Sequence, residues 1–272
     1  MIPHDYHIHS NFSCDCDFSM QQMCNGAIEN GVREIGFTDH YDLHHNEECR
    51  NYLKIDSWIV ELERVRAEFD GRLIIRASIE LGEPHIFQKE GQAMLARYPF
   101  DYTLGSLHWV GEETIFDPNY FKKRQPKEAF TLFFEELERM TRLGGFDILS
   151  HFDVIARTAH QVYGSYDPRD HEECIRPVLK NCVEHGITLD INTKGLRTKM
   201  GQLTPNENIL RWYVEMGGER VTLGSDSHQP KYVGAGCEDA LGAAQAAGLK
   251  YLTYFEERKA KLVPIELPVI SH

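Results

Sequence analysis

The chain has 272 residues, 42% hydrophobic and 26% charged, with a net charge of -13 when its histidines are neutral. Those proportions describe an ordinary soluble globular protein, and the acidic balance argues against a sequence-independent grip on nucleic acid, which needs a basic surface. No run of about 18 apolar residues offers a membrane span, and the N-terminus lacks the basic and apolar regions of a secretory signal, so a cytoplasmic protein with one large domain over 1–272 is expected.

Short β-rich runs alternate with helical patterns along the chain. "YHIH" (6–9) predicts the first strand, and Ser19 can N-cap "MQQMCNGAIEN", which stops before Gly31. "REIGFT" (33–38) predicts a second strand, followed by a helix over 57–69 with Trp58, Leu62, Val65 and Phe69 on one stripe. Strands follow at "RLIIRASIE" (72–80) and "DYTLGSLH" (101–108), then a helix over 128–143 that ends at Gly144-Gly145. "DILSH" (147–151) precedes a helix over 176–185 closed by Gly186, and "ITLDINT" (187–193) precedes a helix over 206–216. Thr204-Pro205 reads as the cap and first-turn pair of that helix. "VTLGSD" (221–226), a helix over 237–247 closed by Gly248, and "KYLTYF" (250–255) complete the pattern. Such alternation predicts a mostly parallel sheet, either a closed barrel or a doubly wound sheet. No G-x-G-x-x-G follows the first strand, which weakens the dinucleotide-binding alternative.

Fourteen histidines is the abnormal count in the composition. Metal-type residues gather at the C-terminal ends of the predicted strands: His7 and His9, His40 in "TDH", Glu80 in "IELG", His108 in "GSLH", His151 in "SHFD", Asp190 and Asn192, then Asp226 and His228 in "GSDSH". In an α/β barrel that rim is where the active site is built. Side chains two apart on a strand share a face, so the H-x-H pair can reach one ion. Mixed imidazole and carboxylate ligands suit zinc, iron or manganese. His4, His44, His45, His85, His160, His171, His185 and His272 lack a strand-end position or partner motif; His45 and His85 remain candidates to line a pocket, and His185 reads as a helix C-terminal cation. Seven cysteines without a C-x-x-C predict a reduced protein with scattered thiols.

Taken in order, "HIHSNFSCD", "TDH", "IELG", "GSLH", "SHFD", "DINT" and "GSDSH" resemble the motifs of the PHP (polymerase and histidinol phosphatase) superfamily, from residue 5 to about 230. The "TDHYD", "NTKGLR" and "GSDSH" context is most similar to the stand-alone histidinol-phosphate phosphatases. The resemblance implies a distorted (β/α)7 TIM-like barrel holding three divalent transition-metal ions (Zn, Mn or Fe). It implies His7, His9, Glu80 and Asp226 on the first ion, Glu80, His108 and His151 on the second, and Asp15, His40 and His228 on the third. Asp15 is preferred to Asp17 because it stands at the family's spacing after the H-x-H pair.

For catalysis the resemblance implies Glu80, Asp226, His228 and Arg197. Arg197 in "NTKGLR" stands ahead of Arg157 as the phosphate contact, because a planar guanidinium gives two parallel hydrogen bonds to phosphate oxygens. Asp153 is a candidate to orient His151. Asp42, Glu47 and Glu83 are candidates to pair with a substrate amine and imidazole. The implied activity is metal-dependent hydrolysis of L-histidinol phosphate in histidine biosynthesis, with metal-activated water as nucleophile. The partner is a small phosphorylated substrate, with neither nucleic acid nor membrane. The nearest alternatives are another small substrate, such as a nucleoside monophosphate or cyclic phosphodiester, and a metal-dependent amidohydrolase. Purely structural metals are disfavoured, because no cysteine falls at these strand ends.

Overall fold

A computed structural model describes residues 1–265; His272 lies outside the described residues. In chain order the strands are β1 (Asp5–Ile8), β2 (Glu34–Tyr41), β3 (Ile74–Gly82), β4 (Leu104–Ser106), β5 (Trp109–Val110), β6 (Glu113–Thr114), β7 (Ile148–Leu149), β8 (Thr188–Asn192), β9 (Val221–Gly224), β10 (Tyr251–Glu256) and β11 (Lys259–Pro264). The α-helices are α1 (Met20–Glu29), α2 (Ile55–Glu68), α3 (Gln88–Leu95), α4 (Pro118–Lys122), α5 (Pro126–Leu143), α6 (Ala156–Tyr163), α7 (Glu172–His185), α8 (Glu207–Glu215) and α9 (Cys237–Ala247).

Seven strands form one sheet in the order β1-β2-β3-β4-β7-β8-β9, and every neighbouring pair is parallel. The two edges then meet. His9 N donates to Ser227 O at 2.9 Å, and Asp226 N donates to His7 O at 2.7 Å. The sheet is therefore a nearly closed seven-stranded barrel wrapped in helices, as the alternation and the resemblance lead one to expect.

Local chemistry explains the elements. Ser19 caps α1 through a reciprocal box, with Gln22 N donating to Ser19 Oγ at 3.3 Å and Ser19 N donating to Gln22 Oε1 at 2.9 Å. Trp58, Leu62, Val65 and Phe69 are all fully buried against β1–β3, which is the stripe expected of α2. Gly144 and Gly145, at φ 64° and 95°, end α5 in backbone that a side chain would resist.

Some expectations need correcting. The cap of α8 is Asn206, whose side chain accepts from Asn208 N at 2.9 Å, and Pro205 lies outside the helix. Helix α7 starts at Glu172, so Pro177 sits inside it rather than in its first turn. The run 250–255 joins no barrel strand. It pairs antiparallel with β11 as a hairpin whose Phe255 packs on Tyr6, Tyr102, Leu104 and Ile148 at the N-terminal end of the barrel. Periodicity alone could not separate a barrel strand from this plug, because both alternate with period two. The short α3, α4 and α6 and the β5–β6 hairpin carry too few periodic residues to be read in advance. Among the described residues, no helix is long and apolar enough to cross a membrane.

Candidate metal centre

Parallel strands deliver their C-terminal ends to one rim, and the register decides which donors meet. His40 and Glu80 are directly paired residues of β2 and β3. His108, His151 and Asp226 each stand two residues beyond the ends of β4, β7 and β9. The β9 end approaches β1 so closely that a Cβ on Gly224 would collide with the Asp190 carboxylate and with His7 Cβ. Asp226 itself adopts φ 50°, a left-handed conformation that short polar side chains tolerate.

All nine residues expected to bind metal converge. Glu80 is central and fully buried. Its Oε2 lies 3.5 Å from His7 Nε2, 3.6 Å from His9 Nε2 and 3.1 Å from His40 Nδ1. Its Oε1 lies 3.6 Å from His108 Nε2 and 3.1 Å from His151 Nε2. The two oxygens thus face two different sets of imidazoles. Asp226 Oδ1 is 3.7 Å from His9 Nε2. Asp15 Oδ2 lies 2.8 Å from His228 Nε2 and 3.7 Å from His40 Nε2. Asp17 is exposed on the same loop, and it is Asp15 that reaches the histidines.

The donor set fits divalent cations. His7 Nε2 and His9 Nε2 are buried without a hydrogen-bond partner, and His40 Nδ1 and His228 Nε2 crowd the carboxylates of Glu80 and Asp15, a costly arrangement unless a cation fills the space between them. Two ligands about 2.1 Å from one tetrahedral ion stand about 3.4 Å apart. The gaps of 3.5, 3.6 and 3.7 Å match that spacing. Imidazole with carboxylate is the chemistry of zinc, manganese and iron rather than calcium.

The surroundings tune and orient these donors. Burial works against an ionised Glu80, but His40, His7 and hydrogen bonds from His108 and His151 outweigh it and hold its carboxyl well below the usual range. Burial likewise opposes an ionised Asp226, and Lys194, His7 and Arg157 overcome it. Burial and the neighbouring His228 and His40 push His9 well down, towards a neutral ring. His7 Nδ1 donates to Asp190 Oδ2 at 2.9 Å, a carboxylate–imidazole pair that aims Nε2 at Glu80. Asp190 and Asn192 thus support the site: Asn192 Nδ2 donates to Asp190 Oδ2 at 3.2 Å, and its Oδ1 accepts from Arg157 at 2.7 Å.

The two candidate arginines are held differently. Arg197 donates to Ser225 O at 2.5 Å, Ala235 O at 3.2 Å and Thr193 Oγ1 at 3.3 Å, and lies over the Tyr232 ring. Its guanidinium is engaged in holding loops together. Arg157 instead donates to Asp226 Oδ2 at 3.1 Å, and its Nε is buried without a partner. Lys194, not singled out from the sequence, donates to Asp226 Oδ1 at 2.9 Å. Its only signal was its place in "NTKGLR", three residues before the favoured arginine. Asp153 does not orient His151 either. It accepts from Asn206 N at 3.4 Å, and Ser150 Oγ is the neighbour of His151 Nδ1 at 3.3 Å.

A second wall faces the cluster. Asp42 is 6% exposed and Glu83 1% exposed, so neither is a solvated surface charge. Asp42 stands 3.6 Å from His40 Nδ1 and 3.9 Å from His108 Nδ1. Glu83 Oε1 accepts from His108 N at 2.7 Å and Trp109 N at 3.1 Å, and burial pushes its carboxyl up to about 7. Glu47 Oε2 accepts from Trp109 Nε1 at 2.9 Å, and His44 stacks on the same indole with ring centroids 4.1 Å apart. Of the two histidines left as pocket candidates, His45 pairs with exposed Glu112 at 2.7 Å and His85 pairs with Glu136 at 2.5 Å. His185 Nδ1 caps Thr141 O at 3.1 Å.

The cysteine expectation is corrected as well. Cys14 and Cys49 form a disulfide, with Cα atoms 5.7 Å apart, and tie the Asp15 loop to the segment that carries Glu47. The pairing joins two loops 35 residues apart in the chain, which no local spacing announces.

Fold and donors together define a class: an α/β barrel with a divalent-metal centre at the C-terminal rim of its strands. Residues 5–194 match the PHP domain, and the chain belongs to that family. It is 30% identical to a probable histidinol-phosphatase of Clostridium acetobutylicum, over 94% of this chain and 98% of that protein. It is 26% identical to the histidinol-phosphatase of Lactococcus lactis, over 94% and 95% of the two chains. Its backbone is similar, with a TM-score of 0.86 at 24% identity, to a crystal structure of histidinol phosphate phosphatase from Lactococcus lactis complexed with zinc, L-histidinol and phosphate; the match covers 96% of this chain and 99% of that one.

Proposed function

We propose that residues 1–272 form one PHP-type barrel that hydrolyses L-histidinol phosphate to L-histidinol and phosphate, with divalent metal as cofactor. The observation that carries the reading is the pairing of near full-length similarity to histidinol-phosphatases with buried, unpartnered imidazole and carboxylate atoms at the rim. His7, His9, Glu80 and Asp226 would hold one ion, His108 and His151 a second shared through Glu80, and Asp15, His40 and His228 a third. Bound ions supply positive charge for a phosphate dianion and acidify water, which reconciles a net charge of -13 with an anionic substrate.

The protein's own groups do the rest. Glu80 offers one oxygen to each side of the cluster. Arg157, anchored by Asp226 and Asn192, presents a guanidinium to phosphate, and Lys194 adds a second cation at the same mouth. Asp42, Glu83 and Glu47 line the wall on which a cationic amine and an imidazole find acceptors.

The test is a screen of metal-replete protein for phosphate release from histidinol phosphate, nucleoside monophosphates and cyclic phosphodiesters. The expected result is a kcat/KM for histidinol phosphate at least about tenfold above every other ester, a difference of about 1.4 kcal/mol in transition-state binding. Protein inert on all phosphate esters but active on an amide overturns the reading.

A further inference from the structure

The two histidines of the first strand are supported in different ways. His7 Nδ1 meets a carboxylate directly, Asp190 at 2.9 Å. His9 Nδ1 meets a hydroxyl, Ser13 Oγ at 3.2 Å. That hydroxyl also lies 2.8 Å from Asp39 Oδ1 and accepts from His40 N at 3.1 Å. A serine hydroxyl has one proton and two lone pairs, so these three contacts over-determine where its proton goes.

Asp39 settles the question. It is fully buried. Its Oδ1 takes Ser10 N at 2.7 Å and Ser13 Oγ, and its Oδ2 takes Trp58 Nε1 at 2.8 Å and Ser10 Oγ at 2.8 Å. The Ser10 amide and the Trp58 indole are donors that cannot reverse, one on each oxygen. Ser10 Oγ accepts from Phe12 N at 3.4 Å, so its own proton points to Asp39. Four donors fill the carboxylate, and the single proton of Ser13 belongs to it. Both Ser13 lone pairs then receive protons, one from His40 N and one from His9 Nδ1. His9 is left with a bare Nε2, buried without a partner, 3.6 Å from Glu80 Oε2 and 3.7 Å from Asp226 Oδ1.

We propose that Ser13, oriented by Asp39, is a positioning residue that sets the His9 tautomer for metal binding. It is a hydroxyl-relayed counterpart of the Asp190–His7 pair, and Trp58 anchors it to helix α2. The inference rests on the divalent-metal reading of the cluster.

The experiment has two parts. Long-range 1H–15N spectra of the metal-free full chain report which ring nitrogen of His9 carries the proton. The expected result is Nδ1–H in the wild type and loss of that preference in Ser13→Ala. Zinc affinity by competition with a chromophoric chelator should then fall about 10- to 100-fold in Ser13→Ala and return to within a few-fold in Ser13→Thr, which keeps the hydroxyl. A wild-type His9 protonated on Nε2 overturns the inference even if Ser13→Ala fails to fold. Wild-type zinc binding with an equally tight Ser13→Ala overturns the inference alone, and wild-type protein that binds no divalent metal overturns the metal reading with it.

Discussion

The two ends of the barrel both bury charge, and they manage it in opposite ways. At the N-terminal end the charges are matched within the protein. Arg76 donates to Glu34 at 2.7 Å, Arg66 donates to Asp101 at 2.8 Å, and Arg258 pairs with Asp147 at 2.5 Å. Tyr6 hydroxyl also donates to Glu34, and Thr103 N donates to Asp147 at 2.9 Å. At the C-terminal rim the donors outnumber their partners. His7 Nε2 and His9 Nε2 face Glu80 and Asp226 without a hydrogen bond, while His40 and His228 crowd Glu80 and Asp15 in the same pocket. A buried charge paired in place is structure; buried lone pairs aimed at a common point are a demand for a cation.

The largest expected effect breaks the rim alone. His7→Ala with His9→Ala removes two of the converging imidazoles, so bound metal by elemental analysis and phosphatase turnover should both fall, turnover by about 10³-fold or more. The circular dichroism of the barrel should be unchanged. Undiminished turnover in that variant would end the comparison.

Metal removal should produce the next effect. An ion that binds only the folded chain adds about 3–4 kcal/mol at 100 to 1,000 times its dissociation constant. A chelator should therefore lower the urea midpoint of the wild type by more than that of His7→Ala/His9→Ala, which keeps the other proposed metal positions. At the other end, Arg76→Ala leaves Glu34 buried beside Tyr6 without its cation. The expected cost is about 3 kcal/mol of stability, read by denaturant unfolding, with metal content and KM unchanged. A loss of metal in that variant would show that the ends are coupled.

The effect that is smallest at neutral pH sharpens the comparison as pH falls. His4 is fully buried near the base, and its Nε2 accepts from Leu223 N at 3.1 Å. Burial lowers its pKa to about 3. The unfolded ring takes a proton below about 6.5 while the folded ring stays neutral, so stability is lost as pH falls from about 6.5 towards 3. The slope contributed approaches about 1.4 kcal/mol per pH unit. In metal-free protein, His4→Gln should flatten the dependence of the urea midpoint on pH, and an identical slope would contradict a neutral buried His4.

How much was legible in advance follows the range of the interactions. The H-x-H pair, the donors at successive strand ends, the Ser19 cap and the α2 stripe are local facts of period and spacing, and a reader of the chain can list them. The strand-end donors already included eight of the nine converging residues, and the ninth, Asp15, came from the family resemblance. The sequence could not say which lone pairs stay free, because that depends on what each second nitrogen meets: Asp190 is 183 residues from His7 in the chain. It could not tell how Arg197 is held, since the carbonyls that engage it come from the loops beyond β9. Nor could it foresee Lys194 on Asp226, the Cys14–Cys49 tie, or the hairpin that closes the base. Residue type and spacing determined what chemistry was on offer; closure of the barrel decided which atoms meet, because a hydrogen bond is assigned by distances of a few tenths of an ångström that no sequence period encodes.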